Sequence, residues 1–421
     1  MRKYKITKTI LFLIVTISFL LKGFSQSKVT DNIVGKNHKI YSKSLDEERI
    51  IQIYTPKNYL ESGKKYPVLF VMDSQEYFLQ AIAHQNMLRF QDYTPEFIVV
   101  GIKTNRQKRR QLLFSDSQEF TSFIRDELIP YIDINYRTLK EKIRIYFGWE
   151  MSGGLGIELI GENKSIFSDF IIASPSHISE KRIKSISDGL NSDSFNVNSI
   201  YISMAAEESF IEEEFKTVSM LFEKHKKIGS RVVFEIFNDE THYTTPNKAM
   251  HNSLLKIFHD YIPLRKFSLK EYDDYGGLEA IREYYFKRGK RYYLNTDVNK
   301  TTIHFLLFFA IKENNFERFE LYINSFGNYV NSQITRDFWY NRFAKFFIKN
   351  NKQDKAFDLY EIGLKNFPES SLLNFETGNL YKLQGNIKKT KEYYMKALFF
   401  AKKNNDPELI NYEKSLKRLK Q

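Results

Sequence analysis

The chain predicts an α/β domain with a mostly parallel sheet, followed by an all-helical region. Short β-branched apolar runs alternate with longer helical patterns from about Val29 to Ile262, as in sheets whose parallel strands are joined by helices. From Lys266 onward the strand-like runs stop and helix follows helix. One strand-like run, near the middle of the first region, passes through a glycine-rich turn directly into a helix.

The first element is a leader-like segment. MRKYKITK is basic, and Thr9 to Leu21 is an uninterrupted apolar run, too short to span a hydrocarbon core of about 30 Å comfortably. Gly23 and Ser25 supply the small side chains that signal peptidase requires,. We expect a signal peptide over residues 1–25, cleaved near Ser25–Gln26, and a secreted or periplasmic mature chain. An uncleaved N-terminal anchor is the alternative, and no second transmembrane run follows.

Residues 26–265 are expected to form the sheet domain. The strand-like runs are Ile50–Tyr54, Val68–Met72, Phe97–Ile102, Ile143–Phe147, Phe170–Ala173, Ile200–Met204 and Val232–Phe237. Helical patterns between them include Gln118–Ile132 and Phe210–Lys227. In such sheets, reactive groups occupy loops that follow the strand C-termini.

Residues 266–421 carry a repeat. The pairs Ala344/Gly378, Phe347/Tyr381, Asn351/Gly385, Ala356/Thr390, Tyr360/Tyr394 and Gly363/Ala397 share a constant offset of 34. Small residues at helix crossings, an aromatic three residues on and Pro368 closing the first unit match tetratricopeptide spacing,. A generic helical bundle is the plainer alternative. A weaker pair around Ile303–Tyr329 supplies the third unit that stacking needs.

Composition narrows the function. The 421 residues include no cysteine, which removes disulfides, thiolate metal sites and a cysteine nucleophile together. The net charge of +13 suggests nucleic acid until it is divided. Residues 1–25 carry +5, residues 26–265 carry −1 and the helical tail carries +9. The body is neutral and the excess is spread, so a nucleic-acid partner is not expected. Neither a zinc-type H-E-x-x-H spacing nor a phosphate loop occurs,, and no metal or cofactor is expected.

The informative stretch is Arg144-Ile145-Tyr146-Phe147-Gly148-Trp149-Glu150-Met151-Ser152-Gly153-Gly154, running on into Leu155–Ile160. Strand, sharp glycine-rich turn and helix make the layout of a nucleophile elbow, G-x-S-x-G, which exposes one side chain above the sheet. This stretch resembles the "Putative esterase" family of α/β-hydrolases, which includes S-formylglutathione hydrolase and siderophore esterases. Lys65–Asp73 is similar to that family's KYPVLYLLDG strand. Glu127–Ile132 and Asn135–Thr138 resemble its ELIPYI and NYRT segments, and Ser174-Pro175-Ser176 its SPS segment. The likeness covers most of residues 40–262, and members with a similar helical tail are known.

The elbow departs from the family pattern, Gly-His-Ser-x-Gly-Gly. Counting from Gly148 puts Glu150 at the nucleophile position and Ser152 at the second glycine. Glutamate cannot form the ordinary acyl-enzyme, because its attack on an ester yields an anhydride. Three readings stay open: a lost active site kept for binding, Ser152 acting after a two-residue shift, or Glu150 as a working carboxylate.

The resemblance places the family's acid at Glu207 or Glu208, after the strand ending near Met204, and its base at His242, after the strand ending at Phe237. A loop histidine past a strand end can reach the elbow. If Glu150 faces His242, an ion pair would hold the imidazole protonated. Backbone donors for an oxyanion are expected at Met151 and, after Asp73, at Ser74. Thr104-Asn105-Arg106 resembles a substrate-side loop, and Gln107-Lys108-Arg109-Arg110 reads as a run of solvated bases. The chain is thus expected to be a degenerate or atypical carboxylic-ester hydrolase. A small ester-like ligand is expected in the cleft, with a protein or peptide partner on the tail.

Overall fold

The computed structural model describes residues 32–104, 107–162, 166–193, 195–225 and 232–419. The expected signal segment and Asn105–Arg106 lie outside the described residues. Eight strands form one sheet in the order β1-β2-β4-β3-β5-β6-β7-β8. They are β1 (Lys36–Ser42), β2 (Glu47–Tyr54), β3 (Val68–Met72), β4 (Ile98–Ile102), β5 (Arg144–Trp149), β6 (Asp169–Ala173), β7 (Ser199–Ala205) and β8 (Val232–Phe237). Strands β3 to β8 run parallel, while β1, β2 and β4 pair antiparallel in that order.

Strands β3 and β4 read VLFVM and IVVGI and are buried at every position. Continuous burial is what a strand covered by helices on both faces requires. Strand β1 is the element not anticipated from sequence. Its residues, KNHKIYS, are mostly exposed, so this edge strand carries no apolar run to mark it. The helical stretch expected at Gln118–Ile132 runs instead from Gln111 to Asn135 and includes two π-helical turns, Gln111–Ser115 and Phe123–Leu128.

After the helix Thr245–Ile257 come ten helices from Leu269 to Arg418 among the described residues. The helices Asp337–Lys349 and Ser371–Leu383 begin 34 residues apart, as do Gln353–Asn366 and Ile387–Lys403. Tyr360 and Tyr394 are both buried. Each donates its hydroxyl to an asparagine on the preceding helix, Asn341 at 2.9 Å and Asn379 respectively. The tail joins the sheet domain through the helix Gly277–Tyr292. There Arg291 pairs with Asp260 at 2.8 Å, and the Tyr292 hydroxyl donates to the same carboxylate at 2.6 Å.

Candidate active site

The turn after β5 is built by its sequence. A Cβ on Gly148 would lie 2.4 Å from the Ser152 carbonyl oxygen, and one on Gly154 would lie 2.1 Å from that of Ser176. Glycine at 148 lets the helix Met151–Ile160 start so close to the strand it leaves, and glycine at 154 lets that helix pack against the loop after β6,. Glu150 sits between them with φ 56° and ψ −116°, a conformation that costs a non-glycine residue about 1–3 kcal/mol. Its backbone is pinned on both sides. The N–H donates to Ala173 O at 3.1 Å, and the carbonyl accepts from Gly154 at 2.9 Å and Ser176 at 3.1 Å.

The Glu150 carboxylate is saturated. One oxygen takes Arg109 Nη1, and the other takes the Ser176 hydroxyl at 3.0 Å, with His177 Nδ1 at 3.7 Å. The Met151 N–H lies near it and favours its charged form. Burial pushes the carboxyl pKa up, but Arg109, the Met151 N–H and Ser176 outweigh it and hold the group below the usual carboxylate range,. Arg109 at the same time grips Asp73 through two bonds, at 2.8 and 2.9 Å, and donates to Trp149 O at 3.2 Å. The reading of residues 107–110 as solvated bases is therefore corrected at Arg109, whose side chain is only 16% exposed. Lys108 and Arg110 are exposed. Two carboxylates on separate strand ends draw the one guanidinium inward.

Ser152 is fully buried on the first turn of its helix. Its hydroxyl contacts Asp73 Oδ2 at 2.8 Å and Trp149 O at 2.7 Å, and accepts from the Trp149 N–H at 2.9 Å. It is directed into the turn. Ser74 opens the helix Ser74–Arg89 immediately after Asp73, which has φ 50°. The Ser74 hydroxyl is turned to Gln52 at 2.9 Å.

His242 lies on the loop after β8. Its Nδ1 bonds to Glu208 Oε1, and Glu208 is fully buried. Glu208 Oε2 accepts from the Ser174 hydroxyl at 2.8 Å and from the Ala205 N–H. Glu207 is exposed and takes only the His242 backbone N–H, at 3.4 Å. The structure thus pairs His242 with Glu208 and gives Glu150 other partners, Arg109 foremost. Trp149 bridges the two groups: its ring centroid is 4.8 Å from that of His242, and its Nε1 donates to His242 O at 3.0 Å.

The sequence does not mark Arg109, Trp149, Ser176 or His177 as site residues. His177 follows the SPS segment and has φ 57°, a left-handed residue that no local pattern announces. Arg182, nearly fully buried, fixes this loop by donating to His177 O at 3.0 Å and to Glu158 at 3.1 Å.

The chain is similar to several known proteins. The solved structure of an uncharacterised protein from Capnocytophaga ochracea DSM 7271 superposes with a TM-score of 0.51 at 17% identity, covering 91% of this chain and 99% of that one. An IroE-like serine hydrolase from Shewanella oneidensis gives 0.48 at 16% identity, covering 69% of this chain and 98% of that one. The uncharacterized protein YjcH of Bacillus subtilis (strain 168) is 28% identical over 144 residues. That stretch is 32% of this chain and 60% of YjcH, less than two thirds of the relative's length. The model of the family described as "Putative esterase" matches residues 42–253, from the end of β1 into the helix Thr245–Ile257, half of the sequence and nearly the whole sheet domain. With that match spanning the elbow turn and the His242 loop alike, the chain belongs to the "Putative esterase" family.

Proposed function

We propose that this esterase-like protein does not carry out ordinary serine-type ester hydrolysis, and that its cleft is kept to bind a small ester-like ligand. The observation that carries the reading is the Glu150 carboxylate itself. It stands at the strained elbow, ion-paired with Arg109 and near the Met151 N–H, which favours its charged form. That N–H is a donor which an oxyanion would need. A carboxylate already there repels a second negative charge and is a poor nucleophile while it is neutralised by arginine. Ser152 is no substitute: it is fully buried and bonds to Asp73 and Trp149.

A second reading is favoured by one observation, the intact His242–Glu208 pair. A buried carboxylate on Nδ1 orients the imidazole so that its other nitrogen can take a proton from water. In that reading the site hydrolyses an activated ester through water, with Arg109 freed from Glu150 to receive the substrate's charge.

Turnover of a chromogenic short-chain ester separates the two. On the first reading the wild type stays at background, and Glu150→Ser raises turnover only while His242 is present. Wild-type turnover that disappears in His242→Ala would overturn it in favour of the second. Two further parts of the proposal concern the whole chain. The leader directs it out of the cytoplasm, and N-terminal sequencing of the mature protein should start near Gln26; an intact Met1 would refute cleavage. The tail is a tetratricopeptide-like array that presents a surface for protein or peptide, supported by the 34-residue recurrence of its helix starts.

A further inference from the structure

A cavity of about 1070 Å³ lies between the sheet domain and the helix Gly277–Tyr292. It sits at the opposite end of the sheet from the elbow. Asp169 and Ser199, which line it, are the first residues of β6 and β7, whereas Glu150, Ser174 and Glu208 follow strand ends. Its wall carries five cations, Lys142, Lys256, Lys287, Lys290 and Arg291. Only Glu141 and Asp169 oppose them there.

Asp169 is closed off from the space. Its carboxylate accepts from the Ser168 and Ser199 hydroxyls at 2.6 and 2.5 Å, and burial pushes its pKa up. Arg291 is held by Asp260, and Lys287 pairs with Glu283 at 3.1 Å. Lys142 bonds to the Tyr293 hydroxyl at 2.8 Å. Lys256 and Lys290 have no carboxylate partner among the described residues, and Lys290 lies over the Phe286 ring at 5.4 Å. Ile200, Val233, Ile257 and Phe286 add an apolar floor. Apolar walls with a few convergent charges, in a space of this size, characterise small-molecule sites.

We propose that this interdomain cavity binds a small amphipathic anion, a carboxylate or phosphate head joined to an apolar body. The head sits against Lys256 and Lys290, and the body covers Ile200, Val233 and Phe286. Binding holds the tail helix against the sheet domain, because the two cations come from opposite sides of the junction.

The test is calorimetric titration of the full chain with octyl phosphate and with octanoate, each at low and at high salt. Inorganic phosphate and octanol serve as the two half-ligands. Saturable binding of one or both anions is expected, weakened at least about tenfold at high salt, where the Debye length shrinks to a few ångströms. The better of the two identifies the head group. The exposed double substitution Lys256→Glu with Lys290→Glu should weaken binding by a similar factor while the thermal melt stays unchanged. The proposal fails if neither anion binds, or if binding is insensitive to salt. It also fails if the folded charge-reversed variant binds equally well, or if either half-ligand binds as tightly as the whole.

Discussion

Replacing Arg109 by methionine is the most informative perturbation of the site. The substitution keeps a long apolar stem and removes the guanidinium that two carboxylates share. Asp73 is 2% exposed and Glu150 17%, so neither charge is solvated well once its partner is gone. Removing one member of such a buried set typically costs about 3–5 kcal/mol, most of it from the charge left behind. The two tryptophans, Trp149 at the site and Trp339 in the tail, allow the loss to be located. In a Trp339→Phe background, urea unfolding followed by Trp149 fluorescence reads the sheet domain alone. The pH dependence supplies an independent sign. In the wild type, Glu150 is held below its ordinary value of 4.5, so its contribution is present above that value and is lost as pH falls through the folded pKa. In Arg109→Met, burial and the neighbouring Asp73 are opposed only by the Ser176 hydroxyl and the Met151 N–H, and the carboxyl rises instead. The folded state then binds protons more readily than the unfolded chain, and the variant should gain stability as pH falls from 7 toward 5. Adding Glu150→Gln should recover on the order of 1–3 kcal/mol, the coupling expected of groups in one network. A loss under about 1 kcal/mol, the range of an exposed pair, with no reversed pH slope, would refute the reasoning.

Other outcomes follow from the same contacts. Glu208→Ala strips the Ser174 hydroxyl, the Ala205 N–H and His242 of a buried acceptor; urea unfolding should show a loss of about 1–3 kcal/mol, less for Glu208→Gln. Gly378→Ala would place a Cβ 2.6 Å from the Tyr394 ring and should destabilise the tail by about 1–3 kcal/mol, shifting the Trp339 transition and leaving that of Trp149 in place. His84, packed 5.9 Å from the His251 ring, has its pKa lowered by burial first and by His251 second. The unfolded chain then binds the proton more tightly, so stability falls as pH drops below about 6.5,; His84→Gln should flatten that part of the pH–stability curve.

The strand sequence of this protein was legible because central parallel strands must be apolar throughout. Val68–Met72, buried at every position, announces itself with the bounds it has in the fold. The half-exposed edge strand Lys36–Ser42, lacking that requirement, does not. Gly148 marked the elbow, because a turn this tight admits no Cβ there, and the count from Gly148 put Glu150 at its tip. Sequence order also brought His242 and the Glu207–Glu208 pair to one end of the sheet. It could not choose between the two acids, since they differ by one step on a loop. The tertiary structure decided that, by burying Glu208 beneath Ser174 and leaving Glu207 in solvent. It also decided what Glu150 meets. Arg109 stands in a run of bases that looks solvated, and only the convergence of Asp73 from the end of β3 and Glu150 from the end of β5 makes a charged pocket for it. Local periodicity and glycine geometry act within a few residues and can be read along the chain. Charge pairing between strand ends acts across dozens of residues, and it exists only once the sheet has placed those ends side by side.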